Sequence, residues 1–229
     1  MTENQLSKAQ VVKMVVARFS GGFLVLAAVF FLSAGTLNYW EAWIYIVVLL
    51  VPVLFVVRYL IRHDPGLLER RMRLKEREAR QRLVITLSLV WFLLTFLLPG
   101  LDRRFEWSNV PAAVVIAADV VVLLGYAMIF MVFRENSYTS RVVEVAQGQK
   151  VISSGPYAIV RHPMYVGVAA MDLFTPLALG SYWALIPALF IVPILVIRIH
   201  NEEQVLSNEL PGYAGYMQTV RYRLIPGVW

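Results

Sequence analysis

Five stretches of this chain run nearly free of charge for long enough to matter: residues 19–37, 42–57, 83–101, 110–133 and 163–197, the second continuing past Arg58 to Ile61. The hydrocarbon core of a bilayer is about 30 Å thick, and about 20 apolar residues of helix cross it. Inside it every backbone N–H and C=O needs a partner from the protein, so only helices and closed β-barrels span it. These runs are continuously apolar rather than alternating, which selects helices. Composition agrees: of 229 residues, 59% are hydrophobic and 16% charged, with a mean hydropathy of +0.65, the profile of an integral membrane protein.

Charge then orients the spans. The first run is too long for a signal peptide, and a second follows after a few residues, so it reads as retained. Trp40, Trp43 and Tyr45 are placed as interfacial anchors at the start of the second. Lys and Arg number three at the N-terminus, nine in residues 58–82, four in 134–161 and three from 198 onward, with only Arg103 and Arg104 elsewhere. If the spans alternate, nineteen share one side, which predicts that both termini are cytoplasmic, in the cell membrane if the source is prokaryotic. The pI of 9.7 therefore reflects topology and gives no argument for a nucleic-acid partner. Within residues 62–82, the Glu76–Arg80 and Glu78–Arg82 spacings support a helix, with Leu67, Leu68, Met72 and Leu74 able to touch the headgroup boundary. Such a segment attracts anionic membrane lipid, although the positive-inside bias already accounts for its charge.

The last run holds 35 residues with one charge, Asp172. As one helix it would be about 50 Å long, so it must fold back. Gly180 and Ser181 mark the reversal, and Pro176, Pro187 and Pro193 interrupt the arms. The expected fold is an all-α polytopic membrane protein of four transmembrane helices plus a C-terminal transmembrane helical hairpin. Residues 1–133 form the N-terminal spans and 134–229 a second unit. Asp119 lies within the fourth span, where a carboxyl group must be paired, neutral or facing a polar cavity.

The hairpin's two charged ends point to chemistry. Ahead of it, residues 155–165 read GPYAIVRHPMY. Pro163 suits the first position of a helix and pushes His162 toward an extended conformation, leaving His162 at a helix mouth that suits an anionic group. An ordinary basic flank followed by punctuation is the alternative. Beyond the hairpin, Arg198 and Glu202 stand four apart on one helical face, which also describes an exposed salt bridge. The connector from Arg134 has turn signals at Gly148, Gly155 and Pro156, and Val142, Val143, Val145, Val151 and Ile152 allow short extended pieces. It carries neither GxGxxG nor a P-loop. Cysteine is absent, the histidines are His63, His162 and His200, and no paired-ligand spacing occurs, so no metal site is expected.

The order GPYxxxRHPxY, apolar hairpin, RxxxEE, YxxYxxxV and a closing Pro-Gly, over residues 141–229, resembles the C-terminal half of the isoprenylcysteine carboxyl methyltransferase family. The resemblance implies a cytoplasmic pocket for S-adenosylmethionine and a lipophilic or prenylated acceptor arriving from the bilayer. Carried over, the cofactor pocket comprises Tyr157, His162, Pro163, Met164, Tyr165 and Glu202. It also takes in Gln149, Lys150, Val151 and Ile152, where Gln149 stands in place of the family's histidine. Arg198 matches the arginine that faces the acceptor. Arg198 and Glu202 are thus the catalytic candidates.

Methyl transfer from a sulfonium to a carboxylate needs alignment and a dry site more than a base. An amine or thiol acceptor must lose a proton, and then Glu203 becomes a candidate base. Phospholipid N-methylation, thiol S-methylation, a nicotinamide-dependent reductase of similar C-terminal fold and a non-catalytic membrane protein are the competing readings.

Overall fold

The protein is described by a computed structural model covering residues 8–72, 79–139 and 145–229. Helices α1 (Lys8–Ala34), α2 (Trp40–His63), α4 (Ala79–Phe105) and α5 (Ala112–Glu135) are the long ones of the N-terminal part, with a short α3 (Pro65–Met72) after α2. A 3₁₀ turn at Gly155–Ala158 leads into α6 (Pro163–Ala178), and α7 (Leu185–Ala188), α8 (Ile191–Glu209) and α9 (Tyr213–Thr219) complete the order. No strand occurs among the described residues. Val145, Val151 and Ile152 therefore lie in irregular chain rather than extended pairs, and Val142 and Val143 lie outside the described residues. Four helical stretches, 13–34, 40–63, 112–135 and 185–209, are long and apolar enough to cross a membrane. Helix α4, with 27 residues, covers the remaining run. The chain is a multi-pass membrane protein.

Helices extend beyond the apolar runs because a basic flank does not stop a helix; it only leaves the hydrocarbon. Thus α1 begins at Lys8, well before the first run, and α8 continues through its charged end to Glu209. At its other end α1 stops at Ala34, short of the expected Leu37, because Gly35 adopts φ +66° and turns the chain toward α2.

The hairpin reverses where its sequence indicates. Helix α6 ends at Ala178, and Gly180 takes φ +72°. Ser181 is fully buried and donates to Asp102 near the end of α4, while the Tyr39 hydroxyl donates to the Leu179 carbonyl at 2.6 Å. The return arm is pinned by Trp91, whose indole N–H donates to the Pro187 carbonyl at 2.7 Å.

Lipid tails are as apolar as leucine, so these helices are held by close packing more than by expulsion of water. Leu24, Leu32, Leu124 and Ile186 accordingly remain exposed, while Phe30, Tyr45, Phe96, Ala118 and Val122 form a buried cluster. The tightest approach joins α5 to α6. A Cβ placed on Gly125 would lie 2.8 Å from the Gly167 carbonyl oxygen, and one on Gly167 would lie 2.7 Å from the Gly125 carbonyl oxygen. Backbone meets backbone, fixing the axis on which the mouth of α6 is carried.

One expectation needs correction. Leu67 and Leu68 do not touch the headgroup boundary; they are buried with Val15, Leu60 and Phe133, because α3 folds back under the bundle. Leu74, Glu76 and Glu78 lie outside the described residues, and the side chains of Met72, Arg80 and Arg82 lie outside what the structure describes. Asp119 is buried, and neither carboxyl oxygen has a hydrogen-bond partner among the described residues.

Candidate functional site

Pro163 is the first residue of α6 and His162 its N-cap, at φ −125° and ψ 60°. A proline at this position sacrifices no helical hydrogen bond, since the first amides of a helix have no partner within it. The backbone ahead of the cap is held by the C-terminal segment: Arg161 N–H donates to the Tyr222 carbonyl at 2.9 Å, and His162 N–H to the Arg223 carbonyl at 3.0 Å. The tail is closed on itself by Arg223, Leu224 and Ile225, whose amides all donate to the Trp229 carbonyl.

Beneath this strap lies a buried carboxylate flanked by two arginines and a histidine. One oxygen of Glu203 forms an ion pair with Arg161, whose Nε lies 2.8 Å away, and lies 3.3 Å from His162 Nε2; the other accepts from Arg223 Nε at 2.9 Å, with Nη2 also at 2.9 Å. Arg161 also donates from Nη1 to the Met217 and Val220 carbonyls at the end of α9. One carboxylate thereby joins the mouth of α6, helix α8 and the tail. A carboxylate with both oxygens engaged by arginines is a poor proton acceptor, which argues against the role of base that the sequence left open for Glu203.

One residue away, Glu202 faces differently. Its Oε2 accepts from the Tyr165 hydroxyl at 2.7 Å, and Arg198 Nε approaches the same hydroxyl at 3.5 Å with its guanidinium 6.0 Å from the tyrosine ring. Tyr165 thus stands between Arg198 and Glu202, and the pair is organised by a phenol from the opposite arm. No described residue takes Oε1 of Glu202.

These side chains open onto a cavity of about 880 Å³. Gln149, Lys150, Val151, Ile152, Tyr157, His162, Pro163, Met164, Tyr165, Arg198 and Glu202 all line it, so every residue the resemblance assigns to the cofactor or the acceptor reaches one space, while Glu203 is not on its wall. Gln149 spends its side-chain oxygen on the Ala146 amide, at 2.9 Å, closing a turn and leaving its NH₂ group as the donor that would stand in for a histidine ring. Among the described residues, no group of three or more His, Cys, Asp or Glu side chains is arranged to hold a metal ion.

Sequence reasoning missed part of the wall. Leu206 and Leu210 continue the four-residue ladder begun by Arg198 and Glu202, a stripe that periodicity alone could have extended. Tyr213 and Tyr216, three apart on α9, and Asn136 at the end of α5 also line the cavity. Asn136 donates to the Tyr157 hydroxyl at 3.0 Å, and the Tyr216 hydroxyl donates to the Tyr157 carbonyl at 2.7 Å. Burial pushes the Tyr216 phenol up to about 12, against the opposing pull of Arg161. Tyr157 and Tyr213 are raised as well, by burial first and then by nearby carboxylates. All three stay neutral at physiological pH and serve as hydrogen-bonding, stackable rings.

Comparison with known families gives one finding. The model of the Isoprenylcysteine carboxyl methyltransferase (ICMT) family matches residues 115–208. The resemblance seen in the motifs is therefore supported independently, and the matched segment reaches back to include most of α5.

Proposed function

We infer that this chain is a membrane methyltransferase that binds S-adenosylmethionine in the cavity at the mouth of α6 and methylates the carboxylate of a prenylcysteine-like acceptor arriving from the bilayer. The observation that carries this reading is the convergence on one cavity of all residues the family pattern assigns, within or beside the matched segment. The open Oε1 of Glu202 would accept from hydroxyl or ammonium donors of such a ligand, while Tyr157, Tyr213 and Tyr216 offer flat apolar faces with polar tips.

Bound there, S-adenosylmethionine supplies a methyl group on a sulfonium, which a carboxylate accepts without losing a proton. The chain's own part is positioning. Arg198 is exposed yet lines the cavity, so its planar guanidinium can meet a carboxylate from outside and hold it by two parallel hydrogen bonds. Tyr165 orients Arg198 and Glu202 together. Glu203, through Arg161 and His162, fixes the backbone cap that forms the cavity floor. The caged state of Glu203 also favours an acceptor that needs no base. Residues 134–229 with α5 would then form the catalytic core, and α1–α4 would select the acceptor.

The test is to supply methyl-labelled S-adenosylmethionine and a prenylcysteine analogue to membranes containing the protein. Label released as methanol by mild base indicates a carboxyl ester. Base-stable label in phospholipid or thioether would replace the acceptor assignment, and absence of transfer would remove the enzymatic reading.

A further inference from the structure

At the opposite end of the bundle, the start of α2, the α4–α5 loop and the hairpin reversal enclose a second cavity of about 390 Å³. Tyr39, Glu41, Arg103, Glu106, Asn109 and Gly180 are on its wall. Besides the exposed Glu106, two buried carboxylates lie in this region and the fold treats them differently. Asp102 is fully provided for, by the Ser108 amide and hydroxyl, each at 2.7 Å, and by Ser181. Glu41 is only 8% exposed, yet its Oε2 is enclosed with no hydrogen-bond partner among the described residues. Room beside it is kept by Gly180, where an added Cβ would come within 3.4 Å of Glu41 Oε1.

A buried ionised carboxylate without a partner is costly, and the space next to it calls for a cation. Metal ions are poorly served here: calcium takes six to eight oxygen ligands, and the described residues hold no cluster of the required acids. An organic ammonium needs only a few acceptors. Exposed Trp40, Trp43, Trp107 and Trp183 surround this end of the bundle and mark the depth of lipid headgroups. Arg103 uses one nitrogen on the Asn38 carbonyl, at 3.2 Å, and retains further donors suited to phosphate. We propose that this cavity binds the headgroup of an aminophospholipid, its ammonium paired with Glu41 and its phosphate with Arg103. The site is remote from the methyl-transfer cavity and independent of it.

The experiment uses native mass spectrometry of the full-length protein exchanged into micelles containing phosphatidylethanolamine or phosphatidylcholine of matched chains. Preferential retention of phosphatidylethanolamine is expected, with affinity reduced about tenfold or more in Glu41→Gln, the loss of one charge-assisted hydrogen bond. Asn109→Trp, at an exposed position on the wall, should reduce it similarly by filling the cavity, and it provides the test if Glu41→Gln does not fold. Equal retention of the two lipids, or unchanged retention in the folded variants, would overturn the proposal. So would binding of soluble O-phosphoethanolamine as tight as that of the lipid.

Discussion

Glu203 and Glu202 are neighbours in sequence with opposite employment, and the difference is decided by what reaches each oxygen. Glu203 is engaged by Arg161, His162 and Arg223, whereas Glu202 lines the cavity and accepts from Tyr165. Replacing Glu203 by Gln leaves the buried Arg161 guanidinium without its counterion, and breaking a buried pair in this way costs about 3–5 kcal/mol. The expected result is a large loss of thermal stability in detergent, together with weaker cofactor binding because the α6 cap loosens. Arg198→Lys keeps a charge but loses the planar fork. Acceptor turnover should fall at least about tenfold in steady-state kinetics while cofactor affinity stays nearly intact, the separation expected of a group that touches the acceptor alone. The cap was legible because proline has so few permitted positions. The role of Glu203 was not, since its partners lie 41, 42 and 20 residues away and no local periodicity links them.

The element that places the site is α6, and its position is set by bare backbone contact with α5 at Gly125 and Gly167. Gly167→Ala puts a methyl group where a carbonyl oxygen already lies 2.7 Å away, so the helices must part. Overpacking of this kind costs about 1–3 kcal/mol. Thermal unfolding should register that loss, and because His162–Tyr165 ride on the same helix, cofactor affinity should fall with it; an unchanged melting temperature would show that the pair can separate freely. Long spans were legible from apolar runs alone, as was the reversal at Gly180. Helix ends were less so, because charged flanks continue a helix without any change in pattern, and the burial of Leu67 and Leu68 under the bundle depends on where α3 folds back rather than on its own sequence.

Across the whole molecule, the cavity at the mouth of α6, the C-terminal strap and α3 with its basic residues gather at one end, and the Glu41 cavity occupies the other. The charge bias argues for a cytoplasmic position of the first of these ends, on the side where S-adenosylmethionine is made. A reporter fused after Trp229 should be active only in its cytoplasmic form; activity on the outer face would contradict the proposed orientation. The fold class was legible because a bilayer permits few solutions. The closed cavity was not, because Tyr213, Tyr216 and the strap come from a polar tail whose docking is a tertiary event. The central claim is that this cavity takes S-adenosylmethionine, and calorimetric titration of the purified protein in lipid nanodiscs tests it most directly. Saturable binding at one site per chain is expected, weakened by about 1.5–3 kcal/mol in Glu202→Gln for the loss of a charged hydrogen bond. No measurable binding to the folded wild-type protein, or equal affinity in the variant, would contradict the account.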